Sequence, residues 1–256
     1  MSEPFRLTGG NSLFRIEIPA GSPLFAGHFP GHPILPGIAH LALVEKALGA
    51  AVTAVRSLKL RRPVAPGDVL ELSLAPPKED GWVRFELSRG GEAVSTGAVA
   101  MDGNGDGDAA GSGDIEGAFP PVGDLLPHAH PARLVQGIVE ASSETIVAVA
   151  EIPAEHPLAA GGLAPAFLGI EAAAQAAALL EALSRRDEAP GPRIGYLVGV
   201  REARFAAAAL PTGRPLRAAA RLQGGAFPLS IYEIALGEPG REMVTGTIST
   251  FLTRGG

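Results

Sequence analysis

The sequence contains no cysteine. Disulfides, thiolate metal sites and a cysteine nucleophile are therefore excluded together. Excess positive charge is also lacking: the formal net charge is −6, which gives no reason to expect nucleic-acid binding. No apolar run reaches the roughly 18 residues of a membrane span; the alanine-rich stretch at 164–180 is interrupted by Glu171 and Gln175. The opening "MSEPFRLTGG" has no basic stretch followed by an apolar one, so it does not read as a signal peptide. A soluble, cytoplasmic protein is the expectation. What is present is a chain of 256 residues with 46% hydrophobic content, enough for one large domain or two of ordinary size.

Residues 102–117 read "DGNGDGDAAGSGDIEG", glycine-rich, acidic and nearly devoid of apolar side chains. They are expected to form a flexible linker spanning on the order of 20 Å. Asp102, Asn104 and Asp106 also match the opening of a calcium loop, but the bidentate glutamate position is Gly113 and no helix flanks the loop. The linker reading gives a front unit at 1–101 and a rear unit at 118–256.

The two units carry the same order of elements. In the front unit "LFRIEIP" alternates as a strand, a Pro/Gly-rich loop follows, and a helix is expected over 37–51. Strands follow at "VRSLKLRRPV", "DVLELSLAP", "WVRFELSR" and "AVSTGAVAM". In the rear unit "ARLVQGIVEA" and "ETIVAVAEI" are strands, and a helix is expected over 166–184. Strands recur at "IGYLVGVREARF", "PLRAAARLQ", "PLSIYEIAL" and "MVTGTISTFL". Pro36 and Pro165 stand at the two helix entrances, offset by 129 (165 − 36). Val55 and Val200 begin the following strands, offset by 145 (200 − 55), and Pro66 and Pro211 keep that offset. The difference places an insertion around "SRRDEAPGPR". An internal duplication follows. The rear helix, "APAFLGIEAAAQAAALLEAL", is apolar almost all round, so it is buried on most sides. Each unit is thus expected to be a helix wrapped by a bent antiparallel sheet, an α+β fold.

Glu171 and Gln175 sit at i and i+4 on this apolar helix. Either that face reaches solvent, or a carboxyl group is kept in an apolar cleft for its chemistry, where burial favours the protonated acid. Under the helix offset Glu171 corresponds to Ala42 and Gln175 to Lys46, while His28 of "HFPG" corresponds to Pro157. Each unit keeps one member of an acid–base pair and lacks the other, so His28 is expected to meet Glu171 across the two units.

"HFPGHPILPG" resembles the histidine loop of the hotdog-fold 3-hydroxyacyl-acyl-carrier-protein dehydratases, and "KLRRPVAPGD" is similar to their strand-and-turn motif. "LPHAHPARLV" and "GIEAAAQ" resemble the family's N-terminal motif and its acid-bearing helix. The front half resembles the histidine-bearing, and the rear half the glutamate-bearing, dehydratase subunit of aryl-polyene biosynthesis. The resemblance implies a fused double hotdog with one composite site, working in fatty-acid, polyketide or aryl-polyene type synthesis. It implies no metal and no organic cofactor, a substrate on acyl carrier protein or coenzyme A, ketosynthase and ketoreductase partners, and higher assemblies of double hotdogs.

In the expected reaction neutral His28 abstracts the C2 proton of a 3-hydroxyacyl thioester and protonated Glu171 protonates the departing hydroxyl. Gly37 or Ala166, at the two helix N-termini, would supply the N–H donor to the thioester oxygen. Gln175 would orient Glu171 or bind a bridging water. Lys59, Arg61 and Arg62 form a candidate docking patch for an acidic carrier, against the plainer reading of a solvated strand face. Among the other histidines, His32 is expected to be exposed, His40 to touch the substrate channel or lie in the core, His128 and His130 to be structural, and His156 to be vestigial or repurposed. The competing functions are a hotdog thioesterase and a non-catalytic double hotdog that holds an acyl chain or scaffolds a synthase.

Overall fold

The computed structural model describes residues 3–101, 119–185 and 194–253. The front half comprises β1 (Arg6–Gly10), β2 (Leu13–Glu17), a 3-10 turn at Pro23–Phe25, α1 (Ala39–Leu48), β3 (Ala54–Leu60), β4 (Val69–Leu74), β5 (Val83–Arg89) and β6 (Glu92–Ala100). The rear half comprises α2 (Val122–Leu125), β7 (Val135–Ala141), β8 (Thr145–Ala150), β9 (Leu163–Pro165) and α3 (Leu168–Ser184). It continues with β10 (Gly195–Phe205), β11 (Ala209–Pro211), β12 (Leu216–Ala226), β13 (Leu229–Glu238) and β14 (Arg241–Leu252). The expected linker at 102–117, with the calcium-loop residues Asp102, Asn104 and Asp106, lies outside the described residues, as does most of the expected insertion.

Period-two patterning builds the sheet. In β4 Leu70, Leu72 and Leu74 face the core while Glu71 and Ser73 face water. Twelve strands form one sheet in the order β1-β2-β4-β5-β6-β3-β10-β14-β13-β12-β8-β7, and β9 pairs with β11 separately. From either edge the order is the same, with β1, β2, β4, β5 and β6 answered by β7, β8, β12, β13 and β14. The innermost strands β3 and β10 pair antiparallel, Val55 with Ala203 and Leu58 with Val200. Under the sequence offset of 145, Val55 corresponds to Val200 and Leu58 to Ala203, so the two pairs exchange. This is the relation a two-fold axis imposes on like elements. The chain is a double hotdog of the α+β class.

The central helix α3 packs against β7, β8, β10, β12, β13 and β14. Gly169 lets the sheet approach closely: a Cβ there would come within 2.6 Å of Val244 Cγ2. Each leucine it buries contributes about 1.5–3 kcal/mol. Helix α1 is shorter than the 37–51 expected. Gly49 takes a left-handed φ of 67° and donates its N–H to Glu45 O at 2.8 Å, which ends the helix. The edge strand β1, the short helix α2 and the β9–β11 pair have no counterpart in the sequence reading.

Candidate active site

The loop carrying His28 is held against the rear half by backbone contact. Gly27 has a φ of 78°, and its carbonyl accepts the Ala129 N–H at 2.9 Å. A Cβ on Gly27 would lie 2.1 Å from Ala129 O, so no other residue permits this approach. The contact brings the loop of one half onto the turn before β7 of the other.

His28 is buried and stacks on Phe29, with ring centroids 4.2 Å apart. Its Nδ1 lies 3.1 Å from the Ile34 carbonyl oxygen. A carbonyl only accepts, so Nδ1 carries the proton and Nε2 keeps its lone pair. Burial lowers the His28 pKa, partly offset by the charge of Glu171 and the bond to Ile34. The ring is therefore neutral at neutral pH, the form a general base requires.

Glu171 lies in the first turn of α3 and is buried. Gln175, one turn on, donates to Glu171 Oε1 at 3.1 Å and to Ala132 O at 2.8 Å. Its own oxygen accepts from Leu134 N at 2.8 Å and Val135 N at 3.4 Å. The amide is fully used, which leaves nothing to bind a bridging water and agrees with the other expected role, the orienting of Glu171. The sharper reading of Glu171, a carboxyl group kept in the interior, matches its burial.

His28 and Glu171 line one cavity of about 630 Å³. It follows α3 past Ala174, Ala178 and Ala182 to Arg185, which is about 21 Å of helix at 1.5 Å per residue. Gly37, His40, Arg61 and Arg62 also line it. His40 is buried, has its Nδ1 2.9 Å from Ser95 Oγ, and burial lowers its pKa to about 4. Lys59 is exposed and is not among the lining residues, whereas Arg61 and Arg62 are. Arg62 also pairs with Glu92 at 3.2 Å. The Ala166 N–H is engaged by Ala208 O at 3.0 Å. No acceptor for the Gly37 N–H occurs among the described residues.

The remaining histidines divide. His32 is exposed, and His130 is exposed and pairs with Glu155 at 2.8 Å. His156 lines a separate cavity of about 20 Å³ that also touches His28 and Glu171; burial lowers its pKa to about 4. His128, expected to be structural, lines the main cavity instead. Its Nε2 lies 3.6 Å from Glu171 Oε1, and its ring centroid is 5.2 Å from that of His28. The sequence places His128 two residues from His130 in a turn; only the contact through Gly27 reveals where its ring falls. Burial, and His28 beside it, lower the His128 pKa to about 3. The nitrogen and oxygen ligand atoms of His28, His128 and Glu171 lie within 4.8 Å of one another, the only such group among the described residues. A divalent ion there would occupy both the base and the acid.

The family model described as ApeP dehydratase, ApeP-like, matches residues 120–254. This chain belongs to the ApeP-like dehydratase family. The model described as ApeI dehydratase, ApeI-like, matches residues 6–98, so this ApeP-like protein has an ApeI-like front half and resembles a fusion of the two. It is 34% identical over 102 residues to the 3-hydroxyacyl-[acyl-carrier-protein] dehydratase FabZ of Syntrophotalea carbinolica, covering 34% of this chain and 63% of that protein. It is 32% identical over 114 residues to FabZ of Roseiflexus castenholzii, covering 40% of this chain and 71% of that protein. The chain therefore spans about two thirds of the length of these curated relatives.

Among solved structures, the dehydratase domain of PpsC from Mycobacterium tuberculosis, in complex with C12:1-CoA, aligns with a TM-score of 0.68 at 17% identity. It covers 96% of this chain and 98% of that one. A putative thioesterase II from Thermobifida fusca aligns with a TM-score of 0.63 at 15% identity, covering 98% and 96%. These two likenesses establish the double-hotdog fold and do not choose between elimination and hydrolysis.

Proposed function

We propose that this protein dehydrates a 3-hydroxyacyl thioester to the trans-2-enoyl thioester at one composite site, with 1–101 and 118–256 as the two hotdog units. The supporting observation is that His28 from the front half and Glu171 from the rear half line the same cavity. His28 Nε2 takes the C2 proton. The C2–H electron pair becomes the C2–C3 double bond, the C3–O bond breaks, and the hydroxyl leaves as water with the proton of Glu171. Proton exchange with solvent then resets both groups. The Gly37 N–H, just ahead of α1, is the donor this reading assigns to the thioester oxygen; the bond from the Ala166 N–H to Ala208 O supports that choice over the alternative. The acyl group is carried by acyl carrier protein or coenzyme A, within a cytoplasmic synthesis of the fatty-acid, polyketide or aryl-polyene type. Arg61 and Arg62, at the cavity, are the docking residues for an acidic carrier, with Lys59 on the flank.

Hydrolysis would need a carboxylate aimed at a water beside the carbonyl. Here one oxygen of Glu171 is tied to Gln175, and the neutral imidazole opposite suits proton abstraction at carbon. The deciding experiment incubates the purified chain with 3-hydroxyacyl-carrier and 3-hydroxyacyl-coenzyme A thioesters and follows mass. Loss of one water supports the proposal. Release of free acid would favour the thioesterase reading, and no turnover of either substrate would favour an acyl-binding scaffold.

A further inference from the structure

We infer that His128 is a positioning residue that fixes which oxygen of Glu171 carries the acid proton; the inference rests on the elimination reading above. The ring is held where a buried polar group must justify its place. The Gly27–Ala129 contact drives the turn inward, and Phe29 closes one side of the imidazole edge-on, centroids 4.8 Å apart. His128 Nδ1 is buried and has no hydrogen-bond partner. A buried N–H without an acceptor is rarer and less readily tolerated than a lone pair without a donor. The neutral ring therefore keeps its proton on Nε2, the nitrogen that faces Glu171 Oε1 at 3.6 Å.

Gln175 already donates to that same Oε1 at 3.1 Å. Two N–H groups directed at one carboxyl oxygen make it the carbonyl-like oxygen of the acid. The O–H is then confined to Oε2, the oxygen that neither Gln175 nor His128 addresses. The His128 contact is longer than a hydrogen bond, and a shift of about 0.5 Å on substrate binding would close it, as catalytic contacts commonly tighten in the bound state. His128 neither abstracts nor delivers a proton in this scheme. It restricts the carboxylic acid to one of its two protonated forms, and a randomly placed proton would be aimed away from the leaving hydroxyl part of the time.

The test compares the full chain with His128→Leu and His128→Gln, using 3-hydroxyoctanoyl-coenzyme A. Leucine preserves the wall but removes the donor; glutamine restores an N–H at similar reach. The expected result for H128L is a kcat lower by about 10- to 100-fold, the scale of a misplaced reacting group. KM should stay within about twofold, since the contact acts on the reacting carboxyl group and not on substrate binding. H128Q should recover kcat to within about threefold. A folded H128L with wild-type kcat would overturn the inference while leaving the dehydratase reading intact; a wild type that releases no water would overturn the latter. Should H128L fail to fold, a folded H128Q with kcat more than about tenfold down would overturn the inference on its own.

Discussion

The Nδ1–H of His28 donates to the carbonyl of Ile34 at 3.1 Å, within the same loop. This bond fixes the tautomer and turns Nε2 toward the cavity shared with Glu171. Replacing His28 or Glu171 by alanine is expected to lower dehydration by at least about 100-fold, the usual contribution of a positioned acid or base. Steady-state turnover of each purified variant, with circular dichroism to confirm folding, checks this. Normal turnover in either would dismantle the composite site.

Gly27 contacts no substrate in this account, yet its substitution should be nearly as damaging. Gly27→Ala must relieve a 2.1 Å approach to Ala129 O at a backbone φ of 78°. The left-handed conformation alone costs a side chain about 1–2 kcal/mol. A lower melting temperature and a loss of kcat are expected together, because the loop can relax only by drawing His28 away from the rear half. Gly31→Ala, also at positive φ but with open space around it, should cost stability without comparable loss of kcat.

Four histidines that the fold desolvates set the response to acid. His40 and His156 are lowered to about 4, His128 to about 3, and His28 is lowered as well, all chiefly by burial. In the unfolded chain they take up protons near pH 6.5. The unfolded state therefore binds more protons below that point, and stability is lost as pH falls from about 6.5 toward 4. Glu45 acts in the opposite sense: burial raises it to about 6, so its protonation favours the folded state as pH drops. With four groups against one, the melting temperature should decline between pH 7 and 5. A constant melting temperature over that range would contradict these shifts.

Arg61 and Arg62 line the cavity and are exposed. Reversing both charges to glutamate should raise KM for a carrier-bound substrate by about tenfold and leave turnover of a minimal N-acetylcysteamine thioester unchanged. Part of the effect should disappear at high salt, which screens charge attraction at an interface. Equal effects on both substrates would place these residues in substrate binding rather than carrier docking.

Zinc should be a reversible inhibitor. The ligand atoms of His28, His128 and Glu171 lie within 4.8 Å of one another, and closure by about 1 Å would suit tetrahedral zinc. Inhibition competitive with substrate, reversed by a chelator, is expected. Insensitivity to millimolar zinc would show that the three side chains do not converge as described.

Much of this arrangement was legible in the chain. The period-two strands, the all-round apolar α3 and the offset of 145 led to the duplicated sheet, and the register of Val55, Leu58, Val200 and Ala203 repeats that offset in space. The complementary loss of Glu171 at Ala42 and of His28 at Pro157 pointed to a site shared between halves. What stayed hidden depends on contact between distant segments. His128 looks like a turn residue because its burial comes from a loop some hundred residues earlier. Gln175 could be placed beside Glu171 by helical spacing, but its engagement by Ala132, Leu134 and Val135 belongs to the fold. Gly49 ends α1 at Leu48 through a left-handed φ, whereas the sequence reading carried the helix on to residue 51. The short β9–β11 pair has too few residues to show a period.

The exchange of pairs between β3 and β10 has a consequence for assembly. Two front halves joined along this seam would set His28 opposite Ala42, and two rear halves would set Glu171 opposite Pro157. Neither pairing would bring a His28 and a Glu171 into one site. Joining one of each in a single polypeptide makes the productive match intramolecular, so that it is favoured at any dilution. Specific activity per chain should then be independent of enzyme concentration, where a site shared between separate subunits would be lost on dilution.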